Sequence, residues 1–260
     1  MELTVLGSGT AVPHAARSNA GYWVAAGDAK ILLDCGPTVP HRMAEEHLPW
    51  HDLDAVWISH FHLDHCGGVP PLLFAMRAAP QTRARTKPLR IFGPAGTRRL
   101  LDAFNDANAY KLLDQPFPLE VIETEERVAF DLAPRIEAVA LSTPHTPESM
   151  AIHLRSGERT LVYTSDTGFF EPLATLARQV DLLVIESSFF QEKLTPKHLE
   201  LAEAMHIIRA AAPGRAVLTH LYAEWDTVDL TRELAPYSPG CEVIQAFDGL
   251  RLVVERTLPG

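Results

Sequence analysis

The chain has 260 residues, 47% of them hydrophobic, enough to bury the core of one large domain, and a formal charge of −10 at pH 7. That charge excludes bulk, sequence-independent binding of nucleic acid, which needs a basic surface. No apolar run reaches the roughly eighteen residues of a membrane span, and Met1-Glu2-Leu3-Thr4-Val5 enters a strand without a basic leader, so the cytoplasm is the expected compartment and no membrane partner is expected. Cys35, Cys66 and Cys241 are odd in number and far apart, which fits a reducing environment better than a disulfide framework.

Taken in chain order, short stretches rich in β-branched and aromatic residues are expected as strands at 3–6, 21–25, 30–34 and 55–59. The last of these runs into Ser59-His60-Phe61-His62-Leu63-Asp64-His65-Cys66-Gly67-Gly68, with three imidazoles and a carboxylate within six positions. So many metal-binding side chains at that spacing cannot all reach one ion. His60 with His62 suit one metal and Asp64 with His65 a second. Gly67-Gly68 then releases the chain into an apolar helical stretch at 69–76, and Cys66 reads as a small packing residue. Between 77 and 99, Arg77, Arg83, Arg85, Lys87, Arg90, Arg98 and Arg99 meet no Asp or Glu, either as a solvated face or as a patch that draws in an anion.

Further strands are expected at 89–92, 135–141, 151–154, 160–164, 182–186, 216–219, 242–246 and 250–254, with helices between them. The best-marked helix is 196–212, with Thr195 as N-cap, Pro196 in the first helical position and Pro213-Gly214 ending it. No repeat, low-complexity segment or linker interrupts this alternation, so a single mixed α/β domain over 1–260 is expected. Two metals need more donors than one loop supplies. His145, Asp166 and His220 are the candidates, because each follows an apolar strand and a small hydroxyl residue, at the kind of strand end where such folds display chemistry.

At this point the chain resembles the metallo-β-lactamase superfamily, and within it the ribonuclease Z branch of metal-dependent phosphodiesterases. The resemblance runs from Leu6-Gly7-Ser8-Gly9-Thr10-Ala11-Val12-Pro13, through Leu32-Leu33-Asp34-Cys35-Gly36, to the signature His60-Phe61-His62-Leu63-Asp64-His65. It implies a four-layer αββα sandwich. It also implies His60, His62 and His145 on one metal, Asp64, His65 and His220 on the other, and Asp166 bridging both. The donor set suits two divalent ions, zinc first, with manganese or iron as alternatives. Asp34 is then expected to accept a hydrogen bond from a ligand imidazole and fix its tautomer.

Glu186, ending a strand, and His198, near the start of the next expected helix, match a glutamate and histidine paired in ribonuclease Z relatives, which implies a proton donor at the site. The branch's tRNA-processing members carry a long arm in the interval between His145 and Asp166, whereas 20 residues lie there in this chain, enough for a hairpin alone. A small anionic phosphodiester is therefore the expected substrate, with no stable nucleic-acid partner. Hydrolysis through a metal-bridging hydroxide, oriented by Asp64, is the expected route. A carboxylic ester, lactone or thioester hydrolase, a tRNA 3′ processing endonuclease and an iron-bearing redox protein are the alternative readings. Phe189, Phe190, Tyr222 and Trp225 are expected either to wall the pocket or to sit in a core or interface, and relatives of this kind lead us to expect a homodimer.

Overall fold

The computed structural model describes residues 1–256, so the last four residues of the expected 1–260 domain lie outside it. From the N-terminus come β1 (Glu2–Gly7), β2 (Gly21–Ala26), β3 (Ala29–Leu33), α1 (Val39–Glu45), β4 (Ala55–Trp57), α2 (Leu63–Cys66), α3 (Val69–Ala78), β5 (Leu89–Gly93), α4 (Thr97–Asp106) and β6 (Leu119–Glu123). The second half supplies β7 (Ala129–Ala133), β8 (Ile136–Ser142), β9 (Met150–Ser156), β10 (Arg159–Tyr163), α5 (Pro172–Leu176), β11 (Leu182–Glu186), α6 (Leu201–Ala211), β12 (Arg215–Thr219), α7 (Leu230–Leu234), β13 (Glu242–Gln245) and β14 (Arg251–Val253). The first half forms one sheet in the order β14-β1-β2-β3-β4-β5-β6, closed at one edge by the last strand, and the second half forms the other, β13-β12-β11-β10-β9-β8-β7.

Side-chain alternation along the strands decides the layering. Ile31 and Leu33 face the second sheet and join a buried cluster with Tyr22, Val24, Trp57, Ile152, Leu154, Tyr163, Val184 and Val217, while Leu32 between them faces the other way. That outer face is covered by Met43 of α1, Leu72, Leu73 and Met76 of α3 and Leu101 of α4. On the far side, Leu183, Ile185 and Leu218 are covered by Leu173 of α5 and by Leu201, Met205 and Ile208 of α6. The result is the expected four-layer αββα sandwich. Strands this apolar on both faces are stable only with both faces covered.

Three local departures from the sequence reading have physical causes. β6 and β7 are additional strands; each lies at a sheet end with alternate residues half-exposed, so their apolar signal is diluted. The helix expected over 196–212 begins only at Leu201, where Glu200 and Glu203 form a capping box. The preceding stretch is held out of the helix, because Glu200 bridges to Phe189 and the Leu199 amide donates to Glu186 Oε2 at 3.2 Å. Within the run from 77 to 99, Arg85 and Lys87 are tied to the scaffold: Arg85 donates to the carbonyls of His51, Leu53, Lys87 and Pro88 and lies over Phe117, and Lys87 pairs with Asp52 and Asp54.

Candidate metal centre

Parallel pairing from β10 through β13 puts the C-terminal ends of these strands at one rim of the sandwich, and the chain leaving β4 and β8 reaches the same rim. From the first sheet come His60, His62 and, on the single turn of α2, Asp64 and His65. From the second come His145 after β8, Asp166 after β10 and His220 after β12. Three residues at these strand ends, Asp34, Ser165 and His220, adopt left-handed backbone at φ of 57°, 54° and 58°. Such conformations cost of order 1–3 kcal/mol and persist where surrounding structure over-determines them. Close packing fixes the first loop from behind: a Cβ on Gly68 would lie 2.1 Å from the Gly36 carbonyl oxygen.

The seven side chains form two groups. Donor atoms of His60, His62, His145 and Asp166 lie within 4.8 Å of one another, as do those of Asp64, His65 and His220. Asp166 faces both. Its Oδ2 is 3.8 Å from His60 Nε2 and 3.6 Å from His145 Nε2, while its Oδ1 is 3.2 Å from His65 Nε2 and 3.4 Å from His220 Nε2. Asp64 Oδ2 lies 3.4 Å from His220 Nε2. All but His62, which is exposed at the mouth, are buried.

These groups fit divalent metal ions on three counts. His60 Nε2 is buried with no hydrogen-bond partner, and an orphan of that kind is rare without a ligand to satisfy it. Burial holds the His60 and His145 imidazoles below the usual histidine range. Burial works the other way on Asp64 and Asp166, but hydrogen bonds and charges from the surrounding histidines override it and hold both carboxyls below theirs. Neutral imidazole and ionised carboxylate are the forms that bind metal. On His65 burial is outweighed by Asp166 and Asp34, which raise it.

In His60, His65, His145 and His220 the nitrogen turned away from the centre is held. His65 Nδ1 donates to Asp34 Oδ2 at 2.7 Å, as the sequence reading expects of Asp34, and Tyr163 Oη donates to the same oxygen at 2.7 Å. His145 Nδ1 donates to the Lys197 carbonyl at 2.9 Å. His60 and His220 rest on the hydroxyls of Ser59 and Ser188.

Glu186 and His198 do meet. His198 Nδ1 donates to Glu186 Oε1 at 3.0 Å, and its ring lies 5.4 Å from His220 and 4.7 Å from His145. His198 precedes α6 and lies in the stretch held out of the helix. Burial disfavours its charge, yet the hydrogen bond and charge of Glu186 and the charge of Asp166 outweigh this and push it up to about 9. The Glu186 carboxylate is itself fixed by the Thr167 amide and the Ser188 hydroxyl, both at 2.6 Å.

Beside His62 and Asp64 opens a cleft of about 710 Å³, whose far wall is His14, Arg17, Asn19 and Thr38. Arg17 and His14 share Asp226, at 2.6 and 2.9 Å. The sequence offered no pattern for this wall. Of the four aromatics, Phe189 and Tyr222 stack at 5.0 Å with Phe189 beside His198, whereas Trp225 is fully buried in the outer core and Phe190 packs on its edge.

A model described as a beta-lactamase superfamily domain matches residues 29–221. The probable metallo-hydrolase YhfI of Bacillus subtilis is 29% identical over 223 residues, 85% of this chain and 87% of its own, and its crystal structure superposes with a TM-score of 0.81 over 96% of this chain and 98% of that one. Ribonuclease Z of Mycobacterium sp. (strain KMS) is 30% identical over 266 residues, covering 93% of this chain and 87% of its own. Zinc-bound PqqB of Methylobacterium extorquens, at 16% identity, shares the fold with a TM-score of 0.75 over 97% of this chain and 100% of that one.

Proposed function

This chain belongs to the beta-lactamase superfamily and is a metal-dependent hydrolase resembling its ribonuclease Z branch, and from that premise we propose that it hydrolyses a small anionic phosphodiester at a two-metal site. The observation that carries the reading is the pair of buried Glu186 and half-buried His198, set against both His145 and His220. An acid there serves a phosphodiester more than an acyl substrate, because in-line displacement at phosphorus builds charge on the leaving oxygen in its transition state, whereas attack on a carbonyl precedes expulsion of the leaving group.

His60, His62, His145 and Asp166 would hold one divalent ion, and Asp64, His65, His220 and Asp166 the second; zinc matches the nitrogen and oxygen donors. Such a pair, when bound, supplies Lewis acidity and brings a water's pKa from about 16 toward about 7. Asp64 would hold the second ion through Oδ2, the oxygen it turns toward His65 and His220, and would orient the attacking water. His198, with Nδ1 tied to Glu186, presents Nε2 to the leaving oxygen and protonates it. General acid catalysis of this kind contributes about 10² to 10⁴ in rate. The cleft of about 710 Å³ suits a substrate of nucleotide size.

One observation favours a second reading, tRNA 3′ processing: the 30% identity to a protein named Ribonuclease Z. Against it stands the hairpin of β9 and β10, in which Ser156 pairs with Arg159 across a two-residue turn, where the resemblance implies an arm in tRNA-processing members. Metal-defined protein assayed with bis(p-nitrophenyl) phosphate, p-nitrophenyl acetate and a precursor tRNA decides among these. The proposal expects chelator-sensitive turnover of the first. Turnover of the acetate alone would replace it with an esterase, and efficient cleavage of the tRNA trailer would replace it with the ribonuclease.

A further inference from the structure

Ser59 and Ser188 repeat one arrangement at the two ends of the centre. Ser59 Oγ donates to Asp34 Oδ2 at 2.7 Å and lies 3.0 Å from His60 Nδ1. Ser188 Oγ donates to Glu186 Oε2 at 2.6 Å and lies 2.9 Å from His220 Nδ1. A hydroxyl has one hydrogen, and in both cases a carboxyl oxygen at 2.6–2.7 Å takes it. Each serine is thus left to accept the Nδ1 hydrogen of its imidazole, and although Ser165 Oγ also lies 3.4 Å from His60 Nδ1, the 3.0 Å contact to Ser59 is the shorter, so Nε2 is left bare and directed at Asp166. Both serines are fully buried, so water offers no substitute.

We propose that Ser59 and Ser188 are positioning residues, each serving one metal: Ser59 sets the tautomer and ring angle of His60 for the first ion, and Ser188 does so for His220 and the second. This rests on the two-metal reading above. Each serine also links its histidine to a carboxylate with a second duty, since Asp34 holds His65 directly and Glu186 holds His198. Ser188 thus joins the second metal's ligand to the proposed acid through one carboxylate. Partners that orient ligand imidazoles in this way are worth about 10- to 100-fold in metal affinity.

The test is zinc affinity, read by competition with a chromophoric chelator, in backgrounds that keep one site. In H220A, which retains the first site, S59A should weaken zinc binding about 10- to 100-fold and S188A should leave it within about twofold. In H60A, which retains the second, the effects should exchange. S59T and S188T keep the hydroxyl and should restore binding, and each serine variant serves as the other's control for folding. Equal weakening by both serine variants in both backgrounds, or no weakening in either, would overturn the proposal. If the unmutated protein fails to bind two zinc ions per chain, the two-metal reading has failed instead.

Discussion

At the scale of single residues, Asp166 is the one side chain that turns an oxygen toward each ligand group, so its removal is the most damaging change available. Asp166→Ala should lose metal and activity together, with fewer than two ions per chain by elemental analysis; two retained ions would contradict its bridging role. His198→Ala should keep both metals. Its kcat should fall about 10² to 10⁴ with a basic leaving group and much less with p-nitrophenolate, which needs little protonation. Equal losses for the two substrates would remove it from the acid role. The pH response has a definite sign: a histidine raised from 6.5 to about 9 keeps its proton until pH climbs through the higher value. Two cations beside it oppose that charge, so turnover of basic leaving groups should decline with rising pH between 6.5 and about 9. A pH–rate profile should show this limb in the native protein and lack it in His198→Ala. Side-chain identity made most of this centre legible in the sequence. The four clustered and three strand-end candidate ligands are metal-binding residue types in a telling spacing, and the fold brings their donor atoms together. Ser59 and Ser188 were not legible, because a serine near a histidine is common and only tertiary geometry shows where its hydrogen goes.

At the scale of elements, the strands were legible wherever both faces are buried, as in β2, β3 and β11. At the sheet ends β13 and β14 were legible, but β6 and β7 were not, because exposed residues interrupt their half-buried or buried apolar ones. The start of α6 was misplaced for a different reason. Thr195-Pro196 is a sound local start signal, but Glu186 captures the Leu199 amide and a bridge to Phe189 holds Glu200, so tertiary bonds override local preference. That extended stretch is what presents His198 to the candidate metal centre, and Gly168 gives it room. A Cβ on Gly168 would lie 2.2 Å from the Pro196 carbonyl oxygen, a backbone atom that must then shift. Gly168→Ala should therefore displace His198 and lower kcat about 10²-fold, the usual consequence of a misplacement near 1 Å, while two metals remain by elemental analysis. Unchanged kcat would show that the stretch adjusts without moving the imidazole.

At the scale of the whole molecule, the candidate ligands come from both sheets, so metal bound there would stabilise only the state in which the two halves are docked. Metal should raise the melting temperature by mass action, about 2.7 kcal/mol of stability at a hundredfold excess over Kd, and chelator should reverse it. A melting curve indifferent to chelator would argue against the centre. The basic run from 77 to 99 was ambiguous in sequence, and its hydrogen bonds give much of it a structural role. The pairing of the last strand with the first carries a temporal consequence. Glu2 lies opposite Val253, so while a ribosome is still delivering the C-terminus, β1 presents a bare edge for as long as synthesis takes. His60 through His65 emerge some 155 residues ahead of His220 and wait without their partners. Birth of this protein is thus a period of open edges and unpaired imidazoles, ended by its final strand, and any factor guarding nascent chains has the whole of that interval in which to act.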